Sequence, residues 1–470
     1  MIKISTPSEQ GIDPAGIAAF LDAIESDAAI EPHGLIIQRH GRRVAEGYWR
    51  PHHAGRSRLL YSLSKTFTGT ALALQIGEGR LGLDDLVSEH LADAFTVADA
   101  GLRELRVRHI ASMASGHNRE TLGEARALDA EDAVRGFLRI PPDAPPGTLF
   151  AYNQPPVIAL ATLLQKRASA RLVDYLRPRL FEPLGMGDVR WAQLYPGLDC
   201  GFTGVYASLD AVARLGQLYL DDGVWNGRRI LPAGWVAAAS SVQTPNPANV
   251  EPDWRQGYGL QLWRSRHGYR GDGAFGQYMV VLPEQDTMIA LFSSTQTMQR
   301  VLDLMWTYLL PAISDAAQTP GPADVALAER LATLSLPTAQ QRLGGRAFAS
   351  TFVMALSGNT FVPTPNAPVA HRTINSITVH EDHLRLHEDG YASTIALSAD
   401  WQQLDDSAIA ASATQLPNGD IAIDAVLLAT PHRLEIVLHP TTLTFDTRWP
   451  VLPLFGAGID KPIGSMRAPV

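Results

Sequence analysis

Residues 61–69 read YSLSKTFTG. Ser62 and Lys65 stand three apart, and where a helix begins, positions i and i+3 share a face. A serine hydroxyl is a weak nucleophile without a base beside it. A lysine buried in apolar surroundings gives up its proton far more readily than a solvated one and can be that base. The helix N-terminus adds free N–H groups and partial positive charge, which hold a developing oxyanion. The bland alternative is a capping serine and a solvated lysine. With serine at about 6% of ordinary composition, four lysines give roughly a one-in-four chance of such a spacing. The weight of the motif therefore rests on its company.

The basic residues sharpen the point. Only Lys3, Lys65, Lys166 and Lys461 are lysines among 39 basic residues. Arginine keeps its proton at working pH and is useless as a general base. Net charge is −9, which argues against a nucleic-acid partner. With 46% apolar and 19% charged residues over 470 positions, the chain is globular and long enough for two or three structural units. Cys200 is the single cysteine, so neither an internal disulfide nor a cysteine-rich zinc site is available. The start of the chain lacks a basic-then-apolar leader, and no run of 18 uncharged apolar residues occurs. A cytoplasmic protein with no membrane partner is the expectation.

Outward from Ser62, the helix is expected to run to the Gly77/Gly79 pair. Upstream, residues 12–26 have helical spacing, and HGLIIQRHGRRVAEGYW (33–49) reads as two strands around His40-Gly41. Downstream, residues 80–200 look mainly helical. PPDAPPGTLFAYNQPP (141–156) reads as a rigid loop. Residues 208–223 form an amphipathic helix capped by Ser208 and ended by Gly223. GYGLQLWR (257–264), GQYMVVLP (276–283) and TMIALFSS (287–294) read as three antiparallel strands, followed by a helix over 298–313. The expected fold class is α+β. Residues 1–315 form an antiparallel sheet flanked by the first and last helices, with a helical region inserted. Residues 316–345 are a linker. Residues 346–470, rich in short alternating runs, form a small all-β domain. That domain is expected to carry no catalytic group.

Two further elements keep company with Ser62 and Lys65. Phe150-Ala151-Tyr152-Asn153-Gln154 follows Pro146-Gly147-Thr148. A tyrosine on a rigid loop can relay a proton between nucleophile and leaving group, and a neighbouring amide can bind substrate. Arg270-Gly271-Asp272-Gly273-Ala274-Phe275-Gly276-Gln277 enters the middle strand of the last three. Glycines there suit close approach of an acyl group to backbone.

The order of these elements, together with LGLDDLVSEHL, VRHIASMASGH, DYLRPRLFEPLGM and GQLYLDDGVWNGRRILPAGWV, carries a resemblance over about residues 5–313. The chain is similar to the serine β-lactamase and penicillin-binding-protein superfamily. It resembles most the class-C-like branch of family VIII carboxylesterases, D-aminopeptidases and nylon-oligomer hydrolases. The β domain weakly resembles the lipocalin-like or sandwich modules appended to some members. The resemblance implies that Ser62 is acylated, Lys65 is its base and Tyr152 relays the proton. It implies an oxyanion hole from the N–H groups of Ser62 and Ala274. Asn153, Gln154, Gly271, Asp272 and Gly273 would bind substrate. Gln154 stands where the pattern has Asn, and Gly271-Asp272-Gly273 where it has Lys-Thr-Gly, which removes a cation.

The expected function is therefore a cofactor-independent serine hydrolase of a small ester, amide or peptide, first of all a carboxylesterase. A D-aminopeptidase or amidase with Asp272 holding an ammonium is the alternative, as is a β-lactamase or DD-peptidase. A non-catalytic binding protein on the same fold is the alternative of another class. A homo-oligomer is left open. His380, His383 and His387 beside acidic residues invite a metal, but ITVHEDHLRLHEDG fits an exposed hairpin, and no metal is expected. His117 is expected to be structural.

Overall fold

The computed structural model describes residues 2–95, 101–346, 354–365, 373–404 and 407–454. Helix α1 (Pro14–Ser26) starts where the Asp13 carboxylate accepts the Ala15 N–H at 2.9 Å, with Pro14 at the first helical position. Seven strands make the first sheet: β1 (Lys3–Ile4), β2 (Ile30–Arg39), β3 (Arg42–Tyr48), β4 (Trp263–Arg264), β5 (Tyr269–Gly273), β6 (Gln277–Leu282) and β7 (Thr287–Thr295). Their order is β1-β3-β2-β7-β6-β5-β4, antiparallel except for β1 beside β3. His40 and Gly41 both take positive φ, the backbone a two-residue hairpin needs between β2 and β3.

Alternation along the strands builds two cores. Leu35, Ile37, Val280, Leu282, Ile289 and Leu291 face α1 and the helix that follows β7. Ile36, Met279, Val281, Met288, Ala290 and Phe292 face the inserted helical region, which holds α2 (Ser64–Gly77), α3 (Gln154–Ala168) and α4 (Leu209–Leu220). As expected, Ser208 caps α4, its Oγ accepting the Ala211 N–H at 3.1 Å. Among the described residues, no helix is long and apolar enough to cross a membrane.

Several expectations need correction. The stretch 257–264 is extended only at Trp263–Arg264, and Gln261 takes positive φ in the irregular part. Gly271–Gly273, expected at the entry to the strand 276–283, lie instead on a strand of their own, β5, paired with it. Helix α3 begins at Gln154 inside the expected loop, because Pro155 and Pro156 sit in its first turn, where no N–H is needed. The helix after β7 is α-helical over Met298–Leu304 and continues as one π turn over Met305–Leu309. The expected linker is ordered: the helix Pro322–Thr333 buries Leu327 and Leu331, joined by Leu334 and Leu336, in the same core as α1.

The C-terminal region is one nearly closed sheet of nine strands: β8 (Thr360–Pro363), β9 (Ile374–Val379), β10 (His383–Glu388), β11 (Tyr391–Ala396), β12 (Gln402–Gln403), β13 (Ile409–Gln415), β14 (Ile421–Leu427), β15 (Arg433–His439) and β16 (Thr444–Arg448). The order is β11-β10-β9-β8-β16-β15-β14-β13-β12. The ends approach where the Ala413 N–H donates to the Ser398 carbonyl and Ser407 to that of Thr394. Inward-facing Ile377, Leu386, Ile423, Ile436 and Leu438 fill it.

Candidate active site

Ser62 lies in a single 3₁₀ turn, Tyr61–Leu63, directly before α2. Its hydroxyl caps nothing; it faces Lys65, whose Nζ is 3.1 Å from Ser62 Oγ. The lysine is 2% exposed and donates to the Phe202 carbonyl at 2.8 Å. Burial lowers its pKa from 10.5 to about 7, against the opposing pull of the Asp272 and Glu120 carboxylates. Its Nζ also stands 4.8 Å from the centre of the Tyr152 ring.

Tyr152 sits just before α3, stacked on Trp263 with ring centres 5.4 Å apart. Burial, aided by the Asp272 carboxylate, pushes its phenol well above the ordinary value, while a hydrogen bond with Ser62 pulls the other way. The two shifts run in opposite senses, so near neutral pH the lysine is the group able to accept a proton and the tyrosine the one able to give it.

Ser62, Tyr152, Gln154, Asp272 and Ala274 all line one cavity of ≈ 390 Å³. Ser62 and Ala274 contribute main-chain N–H groups that have no acceptor among the described residues. The rest of the wall is largely aromatic, with Tyr61, Phe150, Phe202, Trp254 and Trp263, joined by Thr203, Asn249, Met298 and, from far along the chain, Leu454, none of them expected as site residues. Among the described residues, no lysine, arginine or histidine lines it. Phe150 and Phe202 adjoin sequence motifs, but Trp254 and Leu454 leave no local signal.

Not every expected substrate residue faces the cavity. Asn153 is fully buried elsewhere, its Oδ1 accepting from the N–H and hydroxyl of Thr121 at 2.9 and 3.0 Å. Gln154 takes the cavity side instead, with its Oε1 buried and unpartnered. A Cβ on Gly271 would meet Thr66 Oγ1 at 2.4 Å and Leu63 Cδ1 at 2.6 Å, so this position faces helix α2 and no side chain there can reach substrate. A Cβ on Gly273 would lie 2.0 Å from the Leu60 carbonyl. These two glycines let β5 press against the turn that carries Ser62.

Asp272 points into the cavity but is not free: Arg270 Nε donates to it at 2.9 Å. Burial nevertheless raises the carboxyl pKa, the paired guanidinium opposing. Arg270 itself is fully buried, held by the carbonyls of Asp253 and Arg264 and by Ser265 Oγ, and lies over Trp254. His117 is buried between Ser115 Oγ and the Ile140 carbonyl, as a structural histidine should be. His380 and His383 stack on the β9–β10 hairpin, and His387 lies on β10.

An antiparallel sheet between two helical layers, with the turn that carries Ser62 pressed against β5, is the arrangement of hydrolases of the serine β-lactamase fold. A model of the beta-lactamase family matches residues 21–312, and the chain belongs to that family. It is 26% identical over 312 residues to "Penicillin-binding protein 4" of Amycolatopsis lactamdurans, covering 56% of this chain and 81% of that one. It is 25% identical over 314 residues to the 6-aminohexanoate-dimer hydrolase of Paenarthrobacter ureafaciens, covering 62% and 80%. Among solved structures, the octameric penicillin-binding protein homologue from Pyrococcus abyssi superposes with a TM-score of 0.51 at 16% identity, over 91% of this chain and 98% of that one.

Proposed function

We propose that the protein is a serine hydrolase of neutral esters or amides that works through an acyl-enzyme on Ser62. The observation that carries this is the buried Lys65 amine, lowered to about 7 and 3.1 Å from the Oγ of Ser62, which lines an open cavity. Ser62 attacks the substrate carbonyl as its proton passes to Lys65. The oxyanion is held by the N–H groups of Ser62 and Ala274. Tyr152 hands a proton to the leaving oxygen or nitrogen and is reprotonated from Lys65. Water then attacks the acyl-enzyme by the same route in reverse.

The aromatic wall favours an apolar acyl group, and a carboxylesterase is the first reading. A β-lactamase or DD-peptidase must engage a substrate carboxylate, and among the described residues no side-chain cation lines the cavity. An aminopeptidase needs a free carboxylate for the substrate ammonium, and Asp272 is already held by Arg270. We further propose that residues 1–315 form the catalytic unit, 316–345 the connection and 346–470 a β unit. An alkyl fluorophosphonate should add one phosphonyl group to the intact protein, mapped to the Ser62 peptide and absent in Ser62→Ala. Labelling at another residue, or equal labelling of that variant, overturns the reading.

A further inference from the structure

The two residues beside the proposed oxyanion donors share an uncommon backbone. Tyr61, before Ser62, has φ +49°, and Phe275, after Ala274, has φ +68°. For residues with bulky side chains, this left-handed region is strained and persists only where surroundings impose it. Both side chains meet one residue beside the C-terminal sheet. His432, 2% exposed, sits just before β15, and its Nε2 is hydrogen-bonded to the Tyr61 hydroxyl at 2.6 Å. Its ring meets that of Phe275 edge-on at 4.8 Å, and the Tyr61 and Phe275 rings meet edge-on at 5.1 Å. One histidine therefore touches both arms of the hole.

The turn that carries His432 is itself fastened to the chain leading into Ser62. The Leu59 N–H donates to the Ala429 carbonyl at 2.8 Å, and Arg58 donates to that of Thr430 at 2.9 Å. On the other arm, Ser293 Oγ donates to the carbonyls of Phe275 and Gly276. That fixes the Phe275 backbone from the sheet but leaves its ring to His432.

We propose that His432 is a positioning residue: it braces Tyr61 and Phe275 together and so sets the separation of the Ser62 and Ala274 N–H groups, making the C-terminal sheet a working part of the catalytic centre. This rests on the oxyanion hole assigned under the proposed function. Loss of the brace lets each strained residue relax by an amount that matters, since a misplacement of about 1 Å costs on the order of a hundredfold in rate.

The test uses the full chain and a p-nitrophenyl ester. His432→Ala should lower kcat about ten- to a hundredfold with KM nearly unchanged. It should weaken a trifluoromethyl ketone of the same acyl group, which forms the tetrahedral oxyanion, by the same factor. His432→Gln, whose amide oxygen can accept the Tyr61 hydroxyl, should recover most of both. Wild-type kcat and inhibitor affinity in His432→Ala overturn the proposal, as does a loss confined to KM. If His432→Ala does not fold, Tyr61→Phe decides: it keeps the ring contacts, so a reduced kcat with matched inhibitor weakening supports the brace and an unchanged one overturns it. Phosphonylation of wild-type Ser62 is measured alongside. Its absence refutes the parent reading; its presence with an indifferent His432 refutes only the brace.

Discussion

The pH dependence of acylation follows from one side chain. Burial takes Lys65 from 10.5 to about 7, a change on the order of 5 kcal/mol in the cost of its charge. About half the molecules then carry the neutral amine at pH 7, roughly one in ten at pH 6 and about one in a hundred at pH 5. For a p-nitrophenyl ester, which does not titrate, kcat/KM should rise about tenfold between pH 5 and 6 and level off above pH 8. The Tyr152 phenol is held well above its ordinary value, so it brings no decline below pH 9. Lys65→Arg, permanently charged, should lose about 10²–10⁴ of the rate at every pH. Stability carries the opposite mark. With the folded value below the unfolded one, the unfolded chain binds more protons between about pH 7 and 10.5. Stability therefore rises with pH through that window, and the penalty is complete below it. Lys65→Met should be dead and yet melt higher than wild type at pH 6. A stopped-flow acylation rate flat from pH 5 to 9, or a midpoint near 10, refutes the assignment of Lys65 as base.

Other expectations follow from the same geometry. Ser62→Ala should abolish turnover with an unchanged melting temperature, because the hydroxyl makes no helix-capping bond; calorimetry and ester assays check both halves. Small neutral esters should be turned over at least tenfold faster than nitrocefin or D-Ala-D-Ala peptides, since a missing charge-assisted contact costs about 1.5–3 kcal/mol; comparable rates in a side-by-side assay count against it. Gly273→Ala should unfold or inactivate the protein, its methyl group falling 2.0 Å from the Leu60 carbonyl; a variant with normal melting and kcat contradicts the close contact of β5 with the nucleophile turn. Gly271→Lys should likewise damage packing against Thr66 and Leu63 rather than supply a cation to the cavity, which a melting curve and the ester-to-nitrocefin ratio separate.

What was legible in the sequence was local. Ser62 and Lys65 are one helical turn apart, so spacing alone placed them on one face. Arg270 and Asp272 stand two apart, and alternation along β5 puts both on one face, where they pair. Residues 12–26, 33–49 and 208–223 show clear periodicity and good caps, and each became the expected element. The break between β5 and β6 was less legible, because Tyr-Arg-Gly-Asp-Gly has poor strand propensity and is held by its partner β6. A short helix inside 316–345 was legible, started by Pro322 at its first position, but its packing of Leu327 and Leu331 against the α1 core was not, since the flanking Pro and Gly read as linker. Asn153 and Gln154 were both assigned to substrate, yet only one of two successive residues entering a helix can face a given side. The contact of Tyr61 with His432 spans 371 positions, and no window along the chain reports it.

The account turns on a covalent intermediate at Ser62, and trapping it is the most direct measurement. Wild-type protein mixed with excess p-nitrophenyl ester, acid-quenched within the first turnover and analysed by intact mass, should carry one acyl group. Peptide mapping should place that group on Ser62, and its rate of appearance should match the p-nitrophenol burst. Turnover with no acylated protein at any quench time, or an acyl group on another residue formed at the burst rate, contradicts the mechanism.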